Sequence, residues 1–135
     1  MTGKFVTSAV VKRVRPDWGE IAWHSLPSVT GARRLAVAEV KLAPGFAHDF
    51  HRHPRQEEVI YVMGGRIEQW LGRRRRVLER GDSVFITRGA VHASFNRFRE
   101  DALLLAVLGP CAGKEGYELV DVSRRAPWRS LRPRK

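Results

Sequence analysis

Short apolar segments separated by glycine and proline recur along the whole chain. No segment has the long apolar repeat of about 3.6 residues that marks an amphipathic helix. Glycine or proline stands in most of the gaps, as at Pro44-Gly45 and Gly64-Gly65. The pattern predicts strands at residues 9–14, 21–23, 35–42, 59–63, 67–71, 76–78, 83–87, 92–96 and 103–108. Many short strands at close spacing favour an all-β, antiparallel sandwich or barrel.

The length of the chain fits one such unit. It has 135 residues, 43% of them hydrophobic, which is enough for one core and too few for two ordinary domains. We find no internal repeat and no interdomain linker. We therefore expect a single domain over residues 1–135. Its barrel core spans about 34–110, with an N-terminal strand arm at 1–33 and a C-terminal extension at 111–135 that is rich in Arg and Pro towards its end.

The charge is the extreme feature of the composition. A formal net charge of +11 suits a nucleic-acid or anionic-membrane binder. The cations are nevertheless scattered over termini, loops and strands, and the one dense run, Arg73 to Arg76, directly follows Leu71-Gly72. That position is typical of a solvated hairpin tip. A nucleic-acid partner is therefore the least favoured interpretation.

Nothing in the sequence predicts a membrane partner or secretion. The longest apolar run, Ala102 to Leu108, is far shorter than the roughly twenty residues of a membrane helix. The first fifteen residues lack the sustained apolar core and cleavage site of a secretory signal. Cys111 is the only cysteine, so the chain needs no oxidising compartment to fold. We expect a cytoplasmic protein.

Candidate chemistry is concentrated in two places. Successive side chains alternate between faces in a strand, so in an extended segment His51 and His53 point to the same side, where both can reach one metal ion. Glu58 shares a face with the apolar residues of the next strand, and His92 opens another strand after a glycine turn. Imidazoles with one carboxylate and no thiolate suit a first-row divalent metal that keeps open positions for water or substrate.

These residues resemble the two motifs of the cupin superfamily, which are small β-barrels with a metal inside. The first motif is matched by Gly45, His51, His53, Glu58 and Gly65, or by Glu57 with Gly64 in a shorter spacing. We prefer Glu58, because the acid that directly precedes Val-Ile-Tyr-Val resembles the usual layout of the family. The second motif is matched by Gly81, Gly89, His92 and Asn96, with Thr87 in place of a turn proline.

The resemblance implies an antiparallel double-stranded β-helix, or jelly-roll barrel, for the whole domain. It also implies that His51, His53, Glu58 and His92 are metal ligands, with Glu57 as the alternative to Glu58, and that Asn96 is a structural hydrogen bonder. The metal is Fe, Mn or Ni, with Zn or Cu as alternatives, because this donor set suits all of them. No other cofactor is implied.

Fold alone does not specify the reaction. One hypothesis is a metal-dependent dioxygenase, decarboxylase or isomerase acting on a small oxygenated metabolite. The alternative is a barrel that binds or senses a sugar or organic acid without catalysis. Catalytic residues are not identifiable from the sequence, and Gln69, which faces inward by alternation, is the candidate for orienting a substrate.

For the remaining histidine near the motifs and for the tryptophans, we predict structural rather than chemical roles. His48 has the opposite parity to His51 and is predicted to face solvent. The four tryptophans are predicted to pack on outer faces or to make dimer contacts; they are Trp18, Trp23, Trp70 and Trp128. A homodimer is expected through the run at 9–14 and the apolar face of Val59, Tyr61 and Met63.

Overall fold

A computed structural model describes residues 2–133. Its helices, α1 at Pro27–Thr30 and α2 at Trp128–Leu131, have one turn each, and none of the helices in this part of the chain is long and apolar enough to cross a membrane. The strands are β1 Lys12–Val14, β2 Glu20–Ser25, β3 Ala36–Leu42, β4 Ala47–Arg52, β5 Glu57–Gly64, β6 Arg66–Leu71, β7 Arg74–Glu79, β8 Ser83–Ile86, β9 His92–Phe95, β10 Ala102–Gly109 and β11 Val120–Asp121.

The strands form two antiparallel sheets. One has the order β1-β2-β3-β10-β5-β8 and the other has the order β11-β4-β9-β6-β7. Side chains from both sheets meet in one buried cluster, in which Leu42, Ile60 and Leu104 of the first sheet pack with Ile67 and Leu78 of the second. The core therefore lies between the sheets, and the predicted all-β, antiparallel jelly-roll architecture is confirmed.

Strand positions follow the sequence pattern, with some changes at the ends. The predicted strand at 9–14 is shorter in the structure, because only Lys12–Val14 pairs with β2. β4 carries few consecutive apolar residues and did not stand out as an apolar run. β11 and both helices were not predicted. These elements are short, and their stability comes from packing rather than from a local repeat.

A β-bulge in β4 changes the alternation of side chains there. His48 pairs with Ser94, and His51 pairs with His92. Three residue steps on β4 therefore oppose two steps on β9, so β4 carries one extra residue. The bulge brings His48 and His51 to the same side of the sheet, which strict alternation does not allow.

The glycines of both motifs lie in left-handed turns. Their φ angles are 84° at Gly45, 71° at Gly65, 93° at Gly81 and 78° at Gly89. At Gly65 a Cβ atom would also collide with the carbonyl oxygen of Asp101. Only glycine fits the turn between β5 and β6, because a side chain there would be both strained and in collision.

The arginine run does not form one basic surface. Arg73 lies in the turn before β7, and the other three arginines lie on β7, an exposed edge of its sheet. Arg75 pairs with Trp70 across the strands and forms an ion pair with Glu68 at 3.5 Å, whereas its neighbours in β7 alternate to the opposite face. Charge on an edge strand discourages pairing with other chains.

Candidate metal centre

The two motifs converge at one buried point between the sheets. His51 is near the end of β4, His53 follows that strand directly, Glu58 lies in β5 and His92 begins β9. One potential ligand atom from each of these four side chains lies within 4.8 Å of all the others. Their exposed fractions are 3%, 2%, 6% and 0% in chain order. Donor atoms that bind one ion at about 2.1 Å lie at most about 4.2 Å apart. The four ligand atoms therefore need to approach one another by less than about 1 Å to bind the same ion.

Backbone carbonyl groups orient all three imidazoles. The Nδ1–H group of His51 donates to Asp49 O at 2.7 Å, that of His53 donates to Glu118 O at 2.7 Å, and that of His92 donates to Ala90 O at 3.0 Å. A carbonyl oxygen can only accept, so Nδ1 must carry the hydrogen in each ring. In the neutral rings, Nε2 is then a lone-pair donor directed at the centre of the cluster.

The centre of the cluster lacks a positive group. His53 Nε2 lies 3.2 Å and His92 Nε2 lies 2.9 Å from Glu58 Oε1. Within residues 2–133, Glu58 Oε1 and His92 Nε2 are buried side-chain atoms without a hydrogen-bond partner. Facing lone pairs at this distance repel each other and are costly to bury. A cation between them removes both costs, so the residues present fit a divalent metal.

Electrostatics keeps the site in its metal-binding protonation state. Burial lowers the pKa of the His51 imidazole well below its usual value, and the neighbouring histidines lower it further. Burial opposes ionisation of Glu58. Positive charge and hydrogen-bond donors at the His53 and His92 positions act in the opposite direction and would lower the pKa of this carboxyl group to about 2, and a cation bound between these rings and the carboxylate acts in the same direction. At neutral pH the site therefore offers a neutral His51 imidazole and a carboxylate, the forms that bind metals.

The structure places Glu58, and not Glu57, in the cluster. Glu58 points inward from β5 and is buried, whereas Glu57 is exposed on the other face of the strand. Asn96 is also buried, and its side chain bonds to three backbone groups around the end of β9, on Leu42, Phe98 and Glu100.

The prediction that His48 faces solvent is wrong. The His48 ring stacks on His51 at a centroid distance of 3.6 Å, and Trp18 stacks on its other side at 3.8 Å. Burial lowers the pKa of His48 to about 3, so this ring is neutral. The bulge in β4 is the reason, since it turns His48 to the inner side beside His51.

An apolar cavity opens beside the cluster. It is lined by Trp18, Ile21, Trp23, Ala38, Val40, Leu42, His48, His51, His53, Glu58, Ile60, Ser94, Leu104, Ala106, Leu108 and Tyr117. The prediction of outer-face packing is therefore wrong for Trp18 and Trp23, because β2 and the turn before it belong to the barrel wall. Trp70 and Trp128 do lie on the outer face of the smaller sheet, where both rings pack against Phe50.

Gln69 is buried but does not line this cavity. Its Oε1 accepts from the Ser94 hydroxyl at 2.6 Å, and its Nε2 donates to Trp70 O at 3.1 Å. Its amide is therefore engaged by the protein, and Ser94 is the neighbour that reaches the cavity wall.

The loop at residues 110–119, after β10, adds groups that no motif indicated. Tyr117 lines the cavity, and its ring lies 5.2 Å from the His53 ring between centroids. Gln56 anchors the loop with hydrogen bonds to Pro110 O at 2.9 Å, Gly116 O at 3.1 Å and Glu118 N at 3.1 Å. The only sequence signal for this anchor was the position of Gln56 between two ligand residues, and one polar residue in a loop does not indicate such a role.

Comparison with known proteins identifies the family. A family model described as a cupin domain matches residues 38–108. The tetracenomycin polyketide synthase protein TcmJ of Streptomyces glaucescens is 30% identical over 95 residues, which cover 70% of this chain and 64% of TcmJ. The chain thus spans less than two thirds of the curated relatives that it matches.

Solved structures agree on the fold. KdgF from a Halomonas species aligns with a TM-score of 0.70 at 21% identity, over 81% of this chain and 94% of KdgF. A predicted oxalate decarboxylase from Thermotoga maritima aligns with a TM-score of 0.68 at 23% identity, over 79% of this chain and 99% of that protein. Together with the domain match, this architecture and its convergent histidines show that the chain belongs to the cupin family.

Proposed function

We propose that this protein is a metal-dependent enzyme of the dioxygenase, decarboxylase or isomerase type, acting on a small oxygenated metabolite. The observation that carries the proposal is the convergence of three backbone-oriented imidazoles on the buried Glu58 carboxylate. His51, His53, Glu58 and His92 would hold Fe, Mn or Ni, with Zn or Cu as alternatives. Such an ion, when bound, supplies Lewis-acid or redox chemistry to oxygen atoms that coordinate it.

The cavity walls favour a substrate with few charges. Among residues 2–133, no Lys or Arg lines the cavity, and Glu58 is the only acidic residue that does so. A divalent ion with one carboxylate ligand carries a single net positive charge, which one anionic oxygen of a substrate neutralises. A second buried negative charge would have no partner here. The rest of the substrate faces aliphatic walls such as Val40 and Ile60 and the rings of Trp18 and Trp23.

The name of one relative is consistent with this chemistry. TcmJ is named as a polyketide synthase protein, and polyketides combine carbonyl or phenolic oxygens with a largely apolar carbon skeleton. We propose enolisable β-dicarbonyl and catechol-type molecules as the first substrate classes to test. Oxalate, the small dianion in the name of the Thermotoga maritima protein, suits these walls less well.

The alternative is a non-catalytic barrel that binds a small molecule, such as a sugar or organic acid, at the same site. The scarcity of proton-transfer groups favours it, because apart from the ligand residues the hydrogen-bonding side chains lining the cavity are His48, Ser94, Tyr117 and the indoles. A bound panel compound that is recovered unchanged from metal-loaded protein would support this alternative. Its conversion to product would support the enzyme.

The first experiment is metal analysis. Elemental mass spectrometry of protein purified without added metal should find close to one transition-metal ion per chain. The double variant His51→Ala, His53→Ala should lose this metal. His24→Ala is the matched control, because His24 lies outside the cluster and pairs with Glu39 at 3.2 Å. Metal retained by the double variant, or refused by the wild type on reconstitution, would refute the proposal.

We also propose a cytoplasmic homodimer. Exposed and half-buried apolar residues form rows across the outer face of the larger sheet. The exposed Val59 and Phe85 are in register with the half-buried Val107, and the exposed Tyr61 pairs with the half-buried Leu105. An uncovered row of this kind suits a second copy of the same face in a twofold arrangement. Light scattering should give twice the monomer mass of 15.4 kDa. A monomer at micromolar concentration would contradict the dimer.

A further inference from the structure

Tyr117 is placed to contact whatever binds beside the metal-ligand cluster. Its ring lies between Trp23, at 5.1 Å in an edge-to-face contact, and His53, at 5.2 Å. It lines the same cavity as His51, His53 and Glu58. Its residue number is far from both sequence motifs, and it reaches the site only because the loop at 110–119 folds back over the barrel.

The hydroxyl group of Tyr117 is available to a ligand. Among residues 2–133 no side chain or backbone group forms a hydrogen bond with it, and the half-buried Tyr117 side chain lines the cavity. Phenols in water ionise only at about pH 10, far above neutral pH. The group therefore remains a protonated hydrogen-bond donor at neutral pH. An acceptor oxygen of a molecule in the cavity would satisfy it.

The protein holds Tyr117 in this place from both sides. Gln56, which is 1% exposed, bonds to the backbone of Gly116 and Glu118, the two neighbours of Tyr117. The carbonyl oxygen of Glu118 also accepts the hydrogen bond that orients the His53 ring. One short segment of backbone therefore fixes a metal-ligand imidazole and the tyrosine beside it.

We propose that Tyr117 is a ligand-binding residue, whose hydroxyl donates a hydrogen bond to an oxygen atom of a molecule coordinated at the metal centre. Gln56 is a positioning residue that acts through Tyr117. This inference rests on the proposed function, since it requires a metal at the four-residue cluster. The molecule that binds there should therefore carry two neighbouring oxygen atoms, one that coordinates the metal and one that accepts the hydrogen bond from Tyr117. Hydroxamates, catechols and enolised dicarbonyls have this arrangement.

The test uses the full chain loaded with Co²⁺, whose visible absorption reports its coordination, and acetohydroxamate as the probe. Titration with acetohydroxamate gives its Kd for the wild type and for Tyr117→Phe. We expect the variant to retain the Co²⁺ content and spectrum of the unliganded wild type. Its Kd should rise at least about fivefold, as expected for the loss of one hydrogen bond. Tyr61→Phe is the matched control, because Tyr61 is the only other tyrosine and lies on the outer face, 41% exposed.

A double-mutant cycle tests the role of Gln56. Gln56→Met should also weaken acetohydroxamate binding, but it should add little to Tyr117→Phe if it acts through that side chain. Fully additive effects would overturn the positioning role. A Kd for Tyr117→Phe within about twofold of the wild type, or no acetohydroxamate binding to Co²⁺-loaded wild type, would overturn the inference. Failure of the wild type to bind Co²⁺ would instead refute the proposed function, and the inference with it.

Discussion

Replacement of Gln56 by Met should destabilise the protein by about 3 kcal/mol. The two side chains have similar volumes, so the change removes polar atoms without leaving a large cavity. It leaves Pro110 O, Gly116 O and Glu118 N without the partner that Gln56 provides. Each lost hydrogen bond contributes about 1 kcal/mol, and each backbone group that stays buried without a partner adds to the cost.

The assay is urea unfolding of the metal-free protein, followed by tryptophan fluorescence. Removing the metal with a chelator separates the stability of the loop from any change in metal affinity, because a bound metal would itself stabilise the fold. Thermal unfolding should agree, with a decrease in Tm of about 10 °C for a domain of this size.

Arg55→Met is the matched control. Arg55 neighbours Gln56 and contacts the same loop, through two hydrogen bonds to the Glu118 carboxylate at 2.9 and 2.7 Å. This pair is exposed to solvent, so its loss should change stability much less than the loss of Gln56. A loss below about 1 kcal/mol in Gln56→Met, or equal losses in both variants, would refute the reasoning that the buried amide anchors the loop.

Three further predictions concern the site and the outer aromatic cluster. Glu58→Gln should weaken metal affinity at least about tenfold, whereas Glu57→Gln, at an exposed position, should leave it unchanged. Competition with a chromophoric chelator measures both affinities, and the reverse order would assign the ligand to Glu57. Saturating metal should raise Tm in the wild type but not in His51→Ala, His53→Ala, since only the folded protein brings the ligands together. Phe50→Ala should lower the free energy of unfolding in urea by about 3–5 kcal/mol, because Phe50 is fully buried. Phe85→Ala, at a position that is 54% exposed, should lower it far less, and similar losses in the two variants would contradict the packing argument.

Much of the fold was predictable because its signals are local. Apolar runs of strand length and the glycine turns between them depend on neighbouring residues only, and the structure has a strand at each predicted apolar segment. The motif glycines were identifiable for the same reason, since a left-handed turn such as Gly65 restricts the residue type at its own position. Strand ends and one-turn helices were less predictable, because packing determines them.

The sequence by itself predicted the candidate donor set. The two-residue period of strands puts His51 and His53 on one face, and the resemblance to the cupin motifs implies His92 and Glu58, with Glu57 as the alternative. Only the tertiary structure decided what surrounds that set. The position of His48 depends on a bulge defined by pairing with β9, and Gln69 is occupied by Ser94 from a neighbouring strand. Tyr117 and the carbonyl of Glu118 reach His53 from more than sixty positions away in the chain. Contacts of this kind come from the closure of the barrel, and no local period in the sequence encodes them.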